Sequence, residues 1–207
     1  MDFDFSEEQQ AISDLTRQIF EDKVTHERLR DMEQNNLSFD SPLWETLAES
    51  GIVGAGISEN FGGSGLSFLS ITAALELIGE FAAPVPLLET IVMGALPIQK
   101  FGTDAQRSEL LPRVSSGELV LTAGLVSGDT VTVNEGKLSG RIDFVPYGLE
   151  AEIILIPTEG GMYLVNTSSA GVERTLRETT MGQSQAIITL DQAVGDRLGS
   201  ASTTEIL

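Results

Sequence analysis

Glu150 and Glu152, separated only by Ala151, are the residues most suggestively placed for chemistry, because general acid–base catalysis commonly uses a pair of carboxylates. They precede a β-branched run, and a strand beginning there would set both on one solvated face, where they are only surface charge. That second reading is preferred. The single histidine, His26, falls on the charged side of an N-terminal helix and reads as a surface residue rather than a base or ligand. There is no cysteine, which excludes disulfides, thiolate metal centres and cysteine nucleophiles, and no His/Asp/Glu group has metal-ligand spacing. Two stretches, residues 51–57 and Phe61-Gly62-Gly63-Ser64-Gly65, are glycine-rich. The first invites comparison with a phosphate loop but has neither the G-x-G-x-x-G spacing after a strand nor a following Lys-Ser/Thr, so tight turns with close backbone packing are the better reading. The residues alone describe no self-contained active site.

The elements that would position such residues fall into two kinds. Residues 6–33 predict one long helix, opened by a Ser6/Gln9 capping box and carrying Ile12, Leu15, Ile19, Phe20 and Val24 on an apolar side. Ser41 as cap and Pro42 in the first turn start a short helix with Leu43, Trp44 and Leu47. Residues 66–81 predict a helix apolar over much of its circumference, with Leu69, Ala73, Leu77 and Phe81 at +4 spacing, ended by Pro84 and Pro86. Residues 90–101 and 103–111 complete the helices, the last capped by Thr103 with Gln106 and followed by Pro112. Beyond Gly117 the period changes. Residues 119–126, 130–133, 153–156, 162–165 and 186–190 are short β-branched runs between Gly, Pro and Asn signals, with hairpin turns at Asn134-Glu135-Gly136 and Glu159-Gly160-Gly161. The expected fold class is α+β, an N-terminal all-α bundle (1–118) followed by a small antiparallel β-barrel or sandwich (119–200).

Composition narrows the partners. The chain has 207 residues and a formal net charge of −19; residues 1–119 hold 7 Lys/Arg against 20 Asp/Glu. A field of that sign repels phosphate backbones and anionic lipid, so neither nucleic acid nor membrane is an expected partner. It would not steer an anionic ester inward either, so any such site needs local donors. The acidic N-terminus lacks the features of a secretory signal or transit peptide, and no apolar run approaches membrane-spanning length, so a cytoplasmic protein is expected.

The order of short motifs resembles the acyl-CoA dehydrogenase family over the whole chain. The pieces are Phe5-Ser6-Glu7-Glu8-Gln9-Gln10, Leu47-Ala48-Glu49-Ser50-Gly51-Ile52 after Trp44, and Ile57-Ser58-Glu59-Asn60-Phe61-Gly62-Gly63. They continue through Glu76-Leu77-Ile78-Gly79-Glu80, Phe101-Gly102-Thr103, Leu110-Leu111-Pro112 and, in the β-part, 140–152 and Leu190-Asp191-Gln192-Ala193-Val194. The resemblance implies a flavoprotein oxidoreductase of fatty-acid metabolism, binding FAD and an acyl-CoA substrate as a homo- or hetero-oligomer. In that family a glutamate removes the α-proton of the thioester while the β-hydrogen leaves as hydride to the flavin, which carries the redox chemistry. That base belongs to a C-terminal helical domain of which 201–207 would be only the approach, so no catalytic residue is expected in this chain.

The resemblance also assigns cofactor-facing positions: Leu125, Val126 and Ser127 on one segment, Phe144, Val145 and Pro146 on another. Val126 stands where the family places a flavin-bonding threonine, Phe144 where it places a tryptophan, and Pro146 where it places a second threonine. Proline also removes the backbone donor. Backbone groups of Leu125, Ser127 and Val145 are the remaining expected donors, and ordinary barrel packing is the alternative for Val126 and Phe144. Those departures raise a second reading beside the FAD-dependent dehydrogenase, that of a non-catalytic or half-site subunit of a hetero-oligomer. A third is an interaction module without a cofactor.

Overall fold

The computed structural model describes residues 5–125, 131–180 and 182–207. Its first half is helical. The expected long first helix is two: α1 (Glu7–Lys23) opens on the Ser6/Gln9 capping box, and α2 (His26–Gln34) starts after Thr25, whose side chain accepts from the Arg28 backbone N–H. Thr25 offers the backbone a local alternative to continuing the helix, so the apolar period runs across a break it does not reveal. Leu15 accordingly lies 40% exposed while Ile12, Ile19 and Phe20 are buried. His26 begins α2 and is exposed, not part of the first helix.

Helix α3 (Ser41–Glu49) is capped by Asp40 rather than Ser41, because the Asp40 carboxylate accepts from Leu43 N–H and also pairs bidentately with Arg28 at 2.8 and 3.0 Å. A short 3₁₀ turn (Glu59–Phe61) precedes α4 (Phe68–Phe81), which Ser67 caps and Ala82 ends in the left-handed region. The buried stripe of α4 is Ser70, Ile71, Ala73, Ala74 and Leu77; Phe68 and Leu69 are exposed. The next segment, Leu88–Ala95, is a π-helix running directly into α5 (Leu96–Phe101). Helix α6 (Asp104–Ser115) keeps its Thr103/Gln106 capping box and continues through Pro112 to Ser115.

Among the described residues, the second half forms two four-stranded sheets. One has the order β1 (Leu121–Ala123), β4 (Ile153–Thr158), β5 (Gly161–Asn166), β8 (Asp196–Arg197); the other β2 (Thr132–Asn134), β3 (Lys137–Pro146), β7 (Gln185–Val194), β6 (Val172–Leu176). The expected sandwich is present, but β1 and β4 pair in parallel, Leu121 beside Ile153. The chain leaves the first sheet after β1, makes the β2–β3 hairpin in the other, and returns to β4 in the same direction, which a crossover allows and a hairpin cannot. A final turn, α7 (Thr203–Ile206), follows β8.

The β1–β4–β5–β8 sheet lies between two apolar layers. Ile153 and Leu155 pack with Phe20, Leu47, Ile91 and Leu111 of the helices, whereas Ile154, Ile156 and Val165 pack with Leu138, Ile142 and Ile188 of the other sheet. This explains the uninterrupted Ile-Ile-Leu-Ile of β4: a strand covered on both faces has no reason to alternate.

Candidate functional site

Phe144 owes its position to a bulge. The β3–β7 register slips between Ile142 and Val145, and Phe144 adopts φ of +58°, the left-handed region disfavoured for a bulky side chain. Ile142 and Val145 therefore both turn inward, 1% and 0% exposed, while the Phe144 ring is pushed out. Leu125, two residues beyond β1, is also exposed. The Arg177 guanidinium sits 4.9 Å from the Phe144 ring centroid, bringing a cation to this apolar surface in a strongly acidic chain. Pro146 stands opposite Gln185 in the ladder, and its carbonyl accepts from the buried Thr122 hydroxyl at 2.6 Å. Of the six positions singled out from sequence, Leu125 and Phe144 expose apolar side chains, Val145 is core, Pro146 is half-buried, and Val126 and Ser127 lie outside the described residues. The exposed ones among the described residues are Leu125 and Phe144, with Arg177 beside the Phe144 ring.

Tyr147, also in the left-handed region at φ +49°, lies three positions on, just past β3, and lines a cavity of about 540 Å³. The wall is apolar, supplied by Leu29, Met32, Ile78 and Val85 with Leu37 and Leu88 exposed beside it. Its polar side chains are Glu33, Ser38, Glu89, Tyr147 and Gln183. Glu89, in the π-helix, is 4% exposed, and its carboxylate accepts from Gln183 Nε2 at 2.9 Å. Gln183 Oε1 in turn accepts from Gln185 Nε2 at 3.2 Å, so a chain of amides leads from the strand residue opposite Pro146 to the cavity. Burial raises the Glu89 carboxyl above the usual range, outweighing the bonds from Gln183 and its own N–H. Burial also raises the Tyr147 hydroxyl, helped by the charges of Glu89 and Glu150.

The π-helix that carries Glu89 is docked on β1 at two points. The Thr90 hydroxyl donates to the Leu121 carbonyl and accepts from the Leu121 N–H, at 3.1 and 3.3 Å. Gly94 lies so close that a β-carbon there would stand 2.5 Å from Leu121 Cβ. The π-helix that lines the cavity is thus fixed to the strand that leads to Leu125. Sequence reasoning passed over Glu89, Gln183 and Tyr147. The available signal was a lone acid in the apolar run from Leu87 to Met93, since a charge on an otherwise apolar helix points to a buried, bonded group.

The carboxylates that sequence singled out do other work. Glu150 and Glu152 lie in the turn before β4, not on a strand. Glu150 accepts from the Ser184 hydroxyl at 2.8 Å, and Glu152 forms a two-pronged pair with Arg113 of α6 at 2.9 and 3.2 Å. Arg113, which also meets Glu118, has its guanidinium pKa raised by these partners. Among the described residues no group of three or more His, Asp or Glu is placed to hold a metal, and no helix is long and apolar enough to cross a membrane.

Comparison with known proteins agrees with this architecture. Residues 6–118 match the family model described as "Acyl-CoA dehydrogenase, N-terminal domain". A curated relative, "Acyl-CoA dehydrogenase FadE27" of Mycobacterium tuberculosis, is 30% identical over 87% of this chain and 51% of its own. A solved structure described as a "Tcur3481-Tcur3483 steroid ACAD" variant superposes with a TM-score of 0.89 at 34% identity, covering 97% of this chain and 59% of that one. The ChsE4–ChsE5 complex from Mycobacterium tuberculosis gives 0.91 at 28%, covering 100% and 60%. The chain spans about half the length of the curated relatives it matches.

Proposed function

Because the chain belongs to the acyl-CoA dehydrogenase family, we propose that it forms the flavin-presenting part of an FAD-dependent enzyme that dehydrogenates an acyl-CoA thioester between Cα and Cβ. The observation that carries this reading is the Phe144 bulge. Strain of this kind persists where the surrounding structure enforces it, and here it exposes an aromatic ring instead of burying it. FAD, when bound, supplies the acceptor for the β-hydrogen. Leu125 and Phe144 would offer it apolar contacts, with Val126, Ser127 and the backbone around Val145 and Pro146 as the neighbouring residues. Arg177 supplies positive charge beside that surface, which the acidic whole does not. The family resemblance assigns the base for the α-proton to none of the residues named here.

The paired names of the Tcur3481–Tcur3483 and ChsE4–ChsE5 relatives favour a hetero-oligomer in which this chain is one member. The replacements at Phe144 and Pro146 suit a subunit whose partner completes the site. The word "steroid" in one of those names supports a bulky, ring-bearing acyl group as the substrate class.

Titration of the purified chain with FAD, followed by flavin absorbance and fluorescence quenching, tests the core of the reading. Saturable one-to-one binding that weakens at least ~10-fold in Phe144→Ala is expected. A chain that leaves FAD free at all concentrations while remaining folded would remove the flavin from the reading. Size-exclusion chromatography with the candidate partner subunit tests the assembly; co-elution with a flavin signal is expected.

A further inference from the structure

A β-sheet can take a partner at its edge, where one row of backbone N–H and C=O groups has no neighbouring strand. Among the described residues the edge strands are β1, β8, β2 and β6. The π-helix seals β1, since the Thr90 hydroxyl bonds both backbone groups of Leu121. Strands β8 and β2 offer only two and three residues. Strand β6 is longer, and its Glu173, Arg174, Thr175 and Leu176 are all exposed. Its hydrogen-bond phase is fixed at both ends: the Arg177 N–H donates to the Gln185 carbonyl, and the Asp191 N–H to the Gly171 carbonyl. In the register that sets Thr175 beside Ile187, the odd-numbered residues of β6 therefore turn their backbone groups to β7. Those of Arg174 and Leu176 point away from it, and among the described residues they make no bond beyond the ladder. Charged side chains commonly guard such an edge. Here both arginines are drawn back onto their own chain: Arg174 donates to the Leu149 carbonyl at 2.8 Å, and Arg177 rests on the Phe144 ring. Leu176, 55% exposed, is left beside an open row of donors and acceptors.

The geometry points to β6 as a docking edge for β6 of a second copy of this chain, the two strands antiparallel about Thr175. The outward-pointing Arg174 and Leu176 must then form the hydrogen-bonded pairs. Centring the pair on Arg174 sets two arginines opposite each other. Centring it on Leu176 carries the new ladder past Arg177, where the β6–β7 bonds end. Centring it on Thr175 avoids both. Arg174 exchanges backbone hydrogen bonds with Leu176 of the second copy, Thr175 faces its own counterpart, and Glu173 faces Arg177 of the second copy on each side of the axis. Opposite charges meet there, in a chain whose net charge of −19 otherwise opposes self-association. This pairing needs neither flavin nor thioester and stands apart from the dehydrogenase reading.

The test is the association of the full chain with itself in the absence of flavin. Sedimentation equilibrium from about 1 to 200 µM should show a reversible monomer–dimer equilibrium. Thr175→Lys sets two ammonium groups face to face across the axis and should weaken the dimer at least ~10-fold. Glu173→Arg should weaken it as well, and adding Arg177→Glu to the same chain should restore it. The register is read by a single cysteine, since the chain has none of its own. Residues opposite each other at a non-hydrogen-bonded position have Cα atoms about 4.5 Å apart, within disulfide reach. Thr175→Cys should thus give a covalent dimer on mild oxidation, and Leu176→Cys should not. A chain monomeric at every concentration, a Thr175→Lys dimer as tight as wild type, or cross-linking through Leu176→Cys in place of Thr175→Cys overturns the proposal. The cysteine pair decides it if Thr175→Lys does not fold.

Discussion

Phe144 carries an internal conflict: a bulky residue in the left-handed region, facing water. Replacing it with glycine relaxes the backbone by about 1 kcal/mol while deleting the ring. Phe144→Gly should thus leave the melting temperature unchanged or raised, yet reduce FAD affinity, and thermal denaturation beside a flavin titration separates the two effects. Glu89 makes the opposite arrangement, a polar group enclosed by apolar ones. Its folded-state pKa is raised above the ordinary 4.5, so the native chain holds a proton that the unfolded chain releases first. Stability is then full below the unfolded value and declines as pH rises through the folded one. Glu89→Gln should abolish that decline and make the protein more stable than wild type at neutral pH, as denaturant titrations at several pH values will show. The family resemblance puts Phe144 on a strand, and it lies on β3, because the order of short motifs survives substitution at single positions. It could not place Glu89, Gln183 and Tyr147 together, because residues from the π-helix, from the turn after β3 and from the loop before β7 meet only through the fold.

At the level of elements, local signals held where a residue acts on its own neighbourhood. Ser6 with Gln9 and Thr103 with Gln106 close the capping boxes their spacing announces. Thr25 carries the same kind of signal, hidden inside an unbroken apolar period. Thr25→Ala should cost about 0.5–2 kcal/mol, measured by urea unfolding, and loosen the start of α2. The parallel β1–β4 pair was not legible, since direction depends on a crossover and not on the residues of either strand. The docking of the π-helix on β1 has an equally non-local cause. Gly94→Ala should destabilise by about 1–3 kcal/mol, because its new methyl would meet Leu121. It should also disturb FAD binding, since Leu121 begins the strand that leads to Leu125.

For the molecule as a whole, the change of period after Gly117 marks where helices give way to strands, but the packing does not divide there. One apolar cluster includes Phe20, Ile91 and Leu111 from the helices and Leu121, Leu155 and Leu164 from the sheet. Arg113 with Glu152, and Trp44 donating to the Gly117 carbonyl at 2.9 Å, tie the same join. Leu155→Ala should cost about 2–5 kcal/mol, and should shift far-UV circular dichroism and Trp44 fluorescence together, in one transition rather than two. The last piece of that cluster is Leu198, fully buried, beside a latch in which Gln106 of α6 donates to Asp196 at 2.6 Å and to the Arg197 carbonyl at 2.8 Å. A chain made from its N-terminus onward completes every helix from α1 to α6 long before Leu198 leaves the ribosome. Throughout that interval the nascent helical half presents an unsealed apolar wall, so the speed of translation and the availability of a chaperone bear on how much of this protein reaches its native state.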